Sequence, residues 1–283
     1  MRCPEGLPLI VSVAVTVLLS SSQNPATAGL PDKNLEAAVR NVIFEKKGTD
    51  AEITDEDLKK VYFLEARGKG IKDLTGMEKC VNLAQLNLTK NEISDVSALK
   101  DIKNLQSLDL SHNKIVDAAP LGNIAALQFL ELTDNQIADV SALSKLSKLS
   151  ALYIAKNKIA DVAPLAKLER LSSLDLAHND VSDLKPLTNV GILSLLKLSG
   201  NKISDITPLA KPLSVRLLLL EDNKITDLAP FVTAVKADAE GDKRFAPFLR
   251  LYLKGNPLSE EAKTKQVEAL KAAGVKIDPV EPK

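Results

Sequence analysis

Apolar and polar positions recur along this chain with a period far longer than that of a helix or a strand. Asn91, Asn113, Asn135, Asn157, Asn179, Asn201 and Asn223 stand 22 residues apart, and other columns repeat in register with them. Eight residues before each Asn are Leu83, Leu105, Leu127, Leu149, Leu171, Leu193 and Val215. Five before are Leu86, Leu108, Leu130, Leu152, Leu174, Leu196 and Leu218, and three before are Leu88, Leu110, Leu132, Ile154, Leu176, Leu198 and Leu220. Two after are Ile93, Ile115, Ile137, Ile159, Val181, Ile203 and Ile225. Four after is always Asp: Asp95, Asp117, Asp139, Asp161, Asp183, Asp205 and Asp227. Val61, Leu64, Ala66, Ile71 and Asp73 form an earlier unit with Lys69 in the Asn slot. Phe248, Leu251, Leu253 and Asn256 form a last one. Asn256 follows Asn223 by 33 residues, so 11 are inserted.

Within each unit Leu-x-x-Leu-x-Leu has the alternation of a strand ending near the Asn. One unit cannot bury its own apolar face, so units stack and share a continuous core. The expected architecture is an α/β solenoid of nine parallel strands about 4.8 Å apart, a sheet on the order of 40 Å long. Pro120, Pro164, Pro186, Pro208 and Pro230, with Ala98 and Ala142 in the same column, open a short 3-10 or helical turn on the far side. The Asn column is predicted to be structural. An inward amide both donates to and accepts from buried backbone groups that would each cost about 1–3 kcal/mol unpaired. The Asp column is predicted to make Asx turns; one carboxylate per unit lacks the companion ligands of a metal site.

An open solenoid needs caps. Leu35, Val39, Val42 and Ile43 form one helical stripe. Thr54 and Asp57 suit a capping box with a staple between Ile53 and Leu58. At the other end Ser259 is an N-cap followed by Glu260 and Glu261, Val267 and Leu270 face the core, and Gly274 stops the helix. Cys80 falls in the apolar column of Ile102, Ile124, Leu146, Leu168 and Val190, so a buried small hydrophobe is expected.

Composition narrows the chemistry. With 37 basic and 37 acidic side chains the net charge is zero, which argues against a nucleic-acid or anionic-membrane binder. Apolar residues make up 45% and aromatics 3%, so the core is built of small aliphatic side chains. Two cysteines are too few for a disulfide framework. At the N-terminus Arg2, the apolar run Leu7 to Leu19 and the Ala26-Thr27-Ala28 site read as an export signal cut after Ala28; the run is too short to span a bilayer, and Cys3 precedes it. The expected organisation is a signal peptide over 1–28, a helical cap over 29–60, repeats over 61–258 and a capping helix with tail over 259–283. That places the mature chain outside the cell or in the cell envelope.

Leu-x-x-Leu-x-Leu-x-x-Asn-x-Ile-x-Asp-x-x-Pro-Leu at this period resembles the bacterial internalin-type leucine-rich-repeat proteins. Residues 30–39 resemble their helical cap, and Gly70-Ile71-Lys72-Asp73-Leu74 with Cys80-Val81-Asn82-Leu83 resembles their first turn. The resemblance implies a horseshoe whose parallel sheet lines a concave, protein-binding face. It departs from the family pattern in three respects: no immunoglobulin-like segment follows the repeats, no sorting or wall-binding module follows them, and aromatics on the face are sparse.

Outward positions six, four, two and one before each Asn vary while the core columns do not, as a scaffold carrying a site would. Two zones stand out. Asp109, Glu131, Asp134 and Asp175 surround Phe129 and Tyr153, a combination suited to a basic partner with the rings as anchors. Leu195, Leu217, Leu219 and Tyr252 beside Lys197 make an apolar patch; the competing explanation is a slip in register around Pro212. The insertion near 231–247 is expected to form a longer helix and a polar loop. His112 and His178, three units apart, are separated by about 14 Å, so they cannot share a metal or a proton, and no phosphate loop or nucleophile elbow occurs. The expectation is a monomeric, non-catalytic module without metal or cofactor, binding a protein. Two other readings stay open: a regulatory subunit of an enzyme such as a phosphatase, and a self-associating envelope component.

Overall fold

A computed structural model describes residues 29–278 apart from 191, 211–214, 242 and 244–247. The signal-peptide reading of 1–28, Pro212 and the end of the tail lie outside the described residues.

Nine three-residue strands follow the predicted register: β1 (Phe63–Glu65), β2 (Gln85–Asn87), β3 (Ser107–Asp109), β4 (Phe129–Glu131), β5 (Ala151–Tyr153), β6 (Ser173–Asp175), β7 (Leu195–Lys197), β8 (Leu217–Leu219) and β9 (Arg250–Tyr252). They pair in parallel and in chain order, Leu64 to Leu86 to Leu108 and onward to Leu251. The Leu, Ile and Val columns all point inward and are at most 3% exposed from Val61 to Ile225. Short 3-10 turns such as Ala163–Lys167 run on the opposite side, opened by Pro where the column has it.

The Asn ladder runs unbroken from Asn91 to Asn256. Asn135 Oδ1 accepts the Ile115 amide at 3.0 Å, and its Nδ2 donates to the carbonyls of Leu110 and Leu132, both at 3.0 Å. The same three bonds recur from Asn91, which takes the Ile71 amide, to Asn256, which takes the Ile225 amide across the insertion. One amide thereby satisfies two repeats at once. The Asp column forms Asx turns as predicted: Asp95, Asp117, Asp139, Asp161, Asp183, Asp205 and Asp227 each accept the backbone N–H two residues on.

Helix α1 (Lys33–Val42) covers the first repeat. One oxygen of its N-cap Asp32 accepts from Asn34 and Leu35, while the other accepts from Lys72 and Asp73 of the repeat. Leu35, Val39 and Ile43 are buried, but Val42 is 44% exposed and Ala38 takes its place inside. The buried stripe is therefore Leu35, Ala38, Val39 and Ile43, as wide as predicted but without Val42, the last residue of the helix. Helix α2 (Asp55–Leu58) has the expected Thr54–Asp57 capping box. Burial alone would raise the Asp57 pKa, but hydrogen bonds from Thr54 and Lys46 outweigh it and bring it down to about 2.

The insertion becomes α3 (Ala229–Glu240), which starts from a Pro in its first turn and buries Phe231 and Val235. Past it the pattern slips: Phe248 is 59% exposed and Leu249 is buried. The chain returns to the sheet from a helix instead of a 3-10 turn, so the inward position falls one residue later than the repeat predicts. Ser259 caps the last helical segment through its hydroxyl, and a π turn (Ala262–Gln266) leads into α4 (Val267–Ala272). Gln266 clamps this cap onto the last Asx turn, accepting from the Leu228 amide at 2.7 Å and donating to Asp227 at 2.6 Å. Gly274, at φ 97°, then reverses the chain. The expected nine strands become ten: β10 (Lys276–Ile277) adds beyond β9.

Replacing Asn135 by Ala should lower stability by about 1–3 kcal/mol, because three backbone groups lose their partner; chemical denaturation will read it. Asp57 has a depressed folded pKa, so its contribution is complete above about 4 and is lost as pH falls through about 2. Amide exchange around α2 should therefore accelerate between pH 4 and pH 2, and Asp57→Asn should abolish that pH dependence.

Candidate protein-binding face

The alternating strand directs positions six and four before each Asn outward. Phe129 and Tyr153, on neighbouring strands, meet with ring centroids 5.6 Å apart and planes tilted by 47°, a favourable aromatic arrangement. Both are half-buried. Glu131 lies beside them, opposite Asp109 on one side and Tyr153 on the other. Burial pushes the Glu131 pKa up; donors on Thr133 oppose this, and the charges of Asp109 and Asp175 add to the rise.

These acids also serve the fold, which the sequence reading missed. The side chains of Asn87, Asp109, Glu131 and Asp175 each accept the backbone N–H two residues later, at 2.9–3.0 Å. The signal was available: an acid or Asn followed two residues on by Thr, Ser or Ala. Position two before the Asn was expected to point outward, yet Thr89, Ser111, Ala155 and Ser199 are buried. All four are small side chains at the point where the strand gives way to the turn, and the hydroxyls of Thr89 and Ser111 donate to Asn87 and Asp109. Only the following position stands clear, in the left-handed region at Lys90, His112, Asp134, Lys156, His178 and Asp222.

The remaining candidates are distributed as follows. Asp175 is only 8% exposed and pairs with Lys197 at 3.0 Å. Asp134 is exposed, with its Oδ2 2.6 Å from His112 Nδ1. His178 leans over Gly200, where any Cβ would meet its ring at 2.4 Å. Leu195, Leu217 and Leu219 are half-buried on the sheet surface, with Leu217 paired to Leu195 and Leu219 to Lys197. Leu218 between them is core, so the patch sits on the face and no slip in register explains it. Tyr252 continues it on β9, and contact with Asp278, first by hydrogen bond and then by charge, raises its pKa. Cys80 is fully buried; burial, with Glu78 nearby, pushes its thiol up to about 12.

The family model described as Leucine Rich repeats (2 copies) matches residues 81–123, 103–145 and 125–167. A crystal structure of the internalin InlF from Listeria monocytogenes is 28% identical, with a TM-score of 0.70, covering 92% of this chain and 79% of that one. The internalin C2 of the same organism is 27% identical, with a TM-score of 0.65 and coverage of 90% and 98%. In repeat pattern and fold the chain is similar to the internalin-type bacterial leucine-rich-repeat proteins. A leucine-rich-repeat protein of Leptospira interrogans shares the fold at 23% identity, with a TM-score of 0.67 over 80% of this chain and 57% of that one. No curated protein matches the sequence. In the leucine-rich-repeat horseshoe the strand face described above is the concave side, and the 3-10 turns form the convex side.

Leu219→Asp should cost no more than about 1 kcal/mol, as a change on a half-exposed face. Leu218→Asp, one residue away, should unfold the C-terminal repeats by burying an unpaired charge. Thermal melts of the two variants compare them directly; equal losses would place Leu219 in the core.

Proposed function

We propose that this chain is an exported, non-catalytic module that captures a protein partner on its concave strand face. The observation that carries the reading is the Phe129–Tyr153 pair beside Glu131. Two aromatic side chains stand half-exposed in a chain with few aromatics, next to a carboxylate that is costly to ionise where it sits. A cationic side chain of a partner, placed over the rings and against Glu131, gains cation–π and charge-assisted contacts and relieves that cost. The Leu195, Leu217, Leu219 and Tyr252 patch extends the contact surface toward the C-terminus, with apolar area as its contribution.

The mechanism is preformed shape. The strand backbone is fixed by repeat stacking, so little ordering entropy is lost on association. Export rests on the N-terminal sequence alone: Arg2, the Leu7 to Leu19 run and the Ala26-Thr27-Ala28 site. Among the described residues no helix is long and apolar enough to cross a membrane. An open sheet excludes no water, and His112 and His178 sit in the turns after β3 and β6, three repeats apart, which favours binding over catalysis.

Phe129→Ala combined with Tyr153→Ala should leave the melting temperature within a few degrees of the parent and cost at least tenfold in affinity for the captured partner. Affinity capture with both proteins, followed by mass spectrometry and titration of the retained partner, tests this. A partner held equally by the variant would move the site off the two rings.

A further inference from the structure

The rim where the chain passes from the 3-10 turns into the strands carries a feature that the binding face does not use. An open cleft of about 360 Å³ is lined by Ser147, Lys148, Lys167, Glu169 and Arg170. Lys145 stands one repeat before Lys167 in the same column, as Lys148 does before Arg170. Two neighbouring coils thus line the cleft with three cations, Lys148, Lys167 and Arg170, against the single carboxylate of Glu169, and Lys145 is exposed on the first of the two coils.

Three properties set this cleft apart from ordinary surface lysines. It is local: in the same two columns the preceding repeat has Asn123 and Ala126 and the following one has Asn189 and Ile192, so the charge is confined to two coils of a chain with no net charge. It is unneutralised: among the described residues none of the four cations makes an ion pair, although acid–base ladders such as Lys114–Glu92 and Lys202–Asp180 run along other columns. It is concave and all four side chains are exposed. Cations gathered on one concave surface raise the local positive potential there, which favours an anionic ligand.

We propose that this cleft binds a compact oligoanion of the phosphate or sulfate ester class. The guanidinium of Arg170 offers a planar fork to two oxygens of one tetrahedral anion, while the lysines act as mobile point charges for its neighbours. One cation on the first coil and two on the next suit anionic groups joined at short spacing. Carboxylates spread along an acidic protein segment fit so small a cleft less well. The site is on the rim and not on the strand face, so it stands or falls independently of the partner reading above.

Inorganic tripolyphosphate titrated into the purified protein by calorimetry at low ionic strength is the probe. The expected result is saturable one-site binding that weakens with added NaCl and falls at least tenfold in Lys148→Glu combined with Arg170→Glu. Lys224→Glu, a single reversal in a column remote from the cleft, should bind as the parent does. Lys148→Gln with Arg170→Gln, which removes charge without reversing it, should show an intermediate loss with an unchanged melting curve. Absence of binding, equal loss in Lys224→Glu, or no loss in the double reversal overturns the site. Hexaglutamate binding as tightly as tripolyphosphate overturns the ligand class in favour of an acidic protein segment.

Discussion

The carboxamide of one Asn per coil is the interaction on which the rest of this molecule depends. A 22-residue coil must turn sharply after its strand, and stacking buries that turn between neighbours. The peptide groups there cannot reach water, and the regular sheet bonds have already ended. Asn supplies one acceptor and two donors on a short stem. Asn179, for example, takes the Ile159 amide and donates to the carbonyls of Ile154 and Leu176. Because two of these partners belong to the preceding coil, each amide fixes the register of two coils together. Parallel strand order, inward Leu columns and outward variable positions all follow from that registration.

A division of labour results around the coil. The strand-exit side is saturated with hydrogen bonds from the Asn ladder and the Asx turns. It can vary little without leaving buried peptide groups unpaired. The strand face and the opposite rim carry less of this duty: on the face Asn87, Asp109, Glu131 and Asp175 hold the amide two residues on, whereas Lys197 and Leu219 in the same column have no acceptor to do so. It is on these two surfaces that the chain places its exposed aromatic pair, its apolar patch and its cationic cleft.

The caps show how this arrangement is closed. At the N-terminal end a single carboxylate, Asp32, caps its own helix and the first repeat at once. At the C-terminal end Gln266 performs the corresponding task on the Asx turn of Asp227. Each end thus borrows the hydrogen-bonding habit of the repeats and meets the first or last coil with a polar clamp as well as apolar contact.

The amino-acid sequence by itself determined the coil, the direction of its strands, the inward columns, the Asn and Asp roles and the burial of Cys80. These are contacts between equivalent positions one period apart, and a linear period of 22 residues specifies them completely. Tertiary structure decided what lies off that period. It exposed Val42 and Phe248 while burying Ala38 and Leu249, and added β10 from the C-terminal cap. Such outcomes depend on the angle at which a cap or an inserted helix meets the stack, and on which diagonal neighbours a side chain can reach. Neither quantity is encoded in spacing along the chain; both arise only when the coils are laid against one another in space.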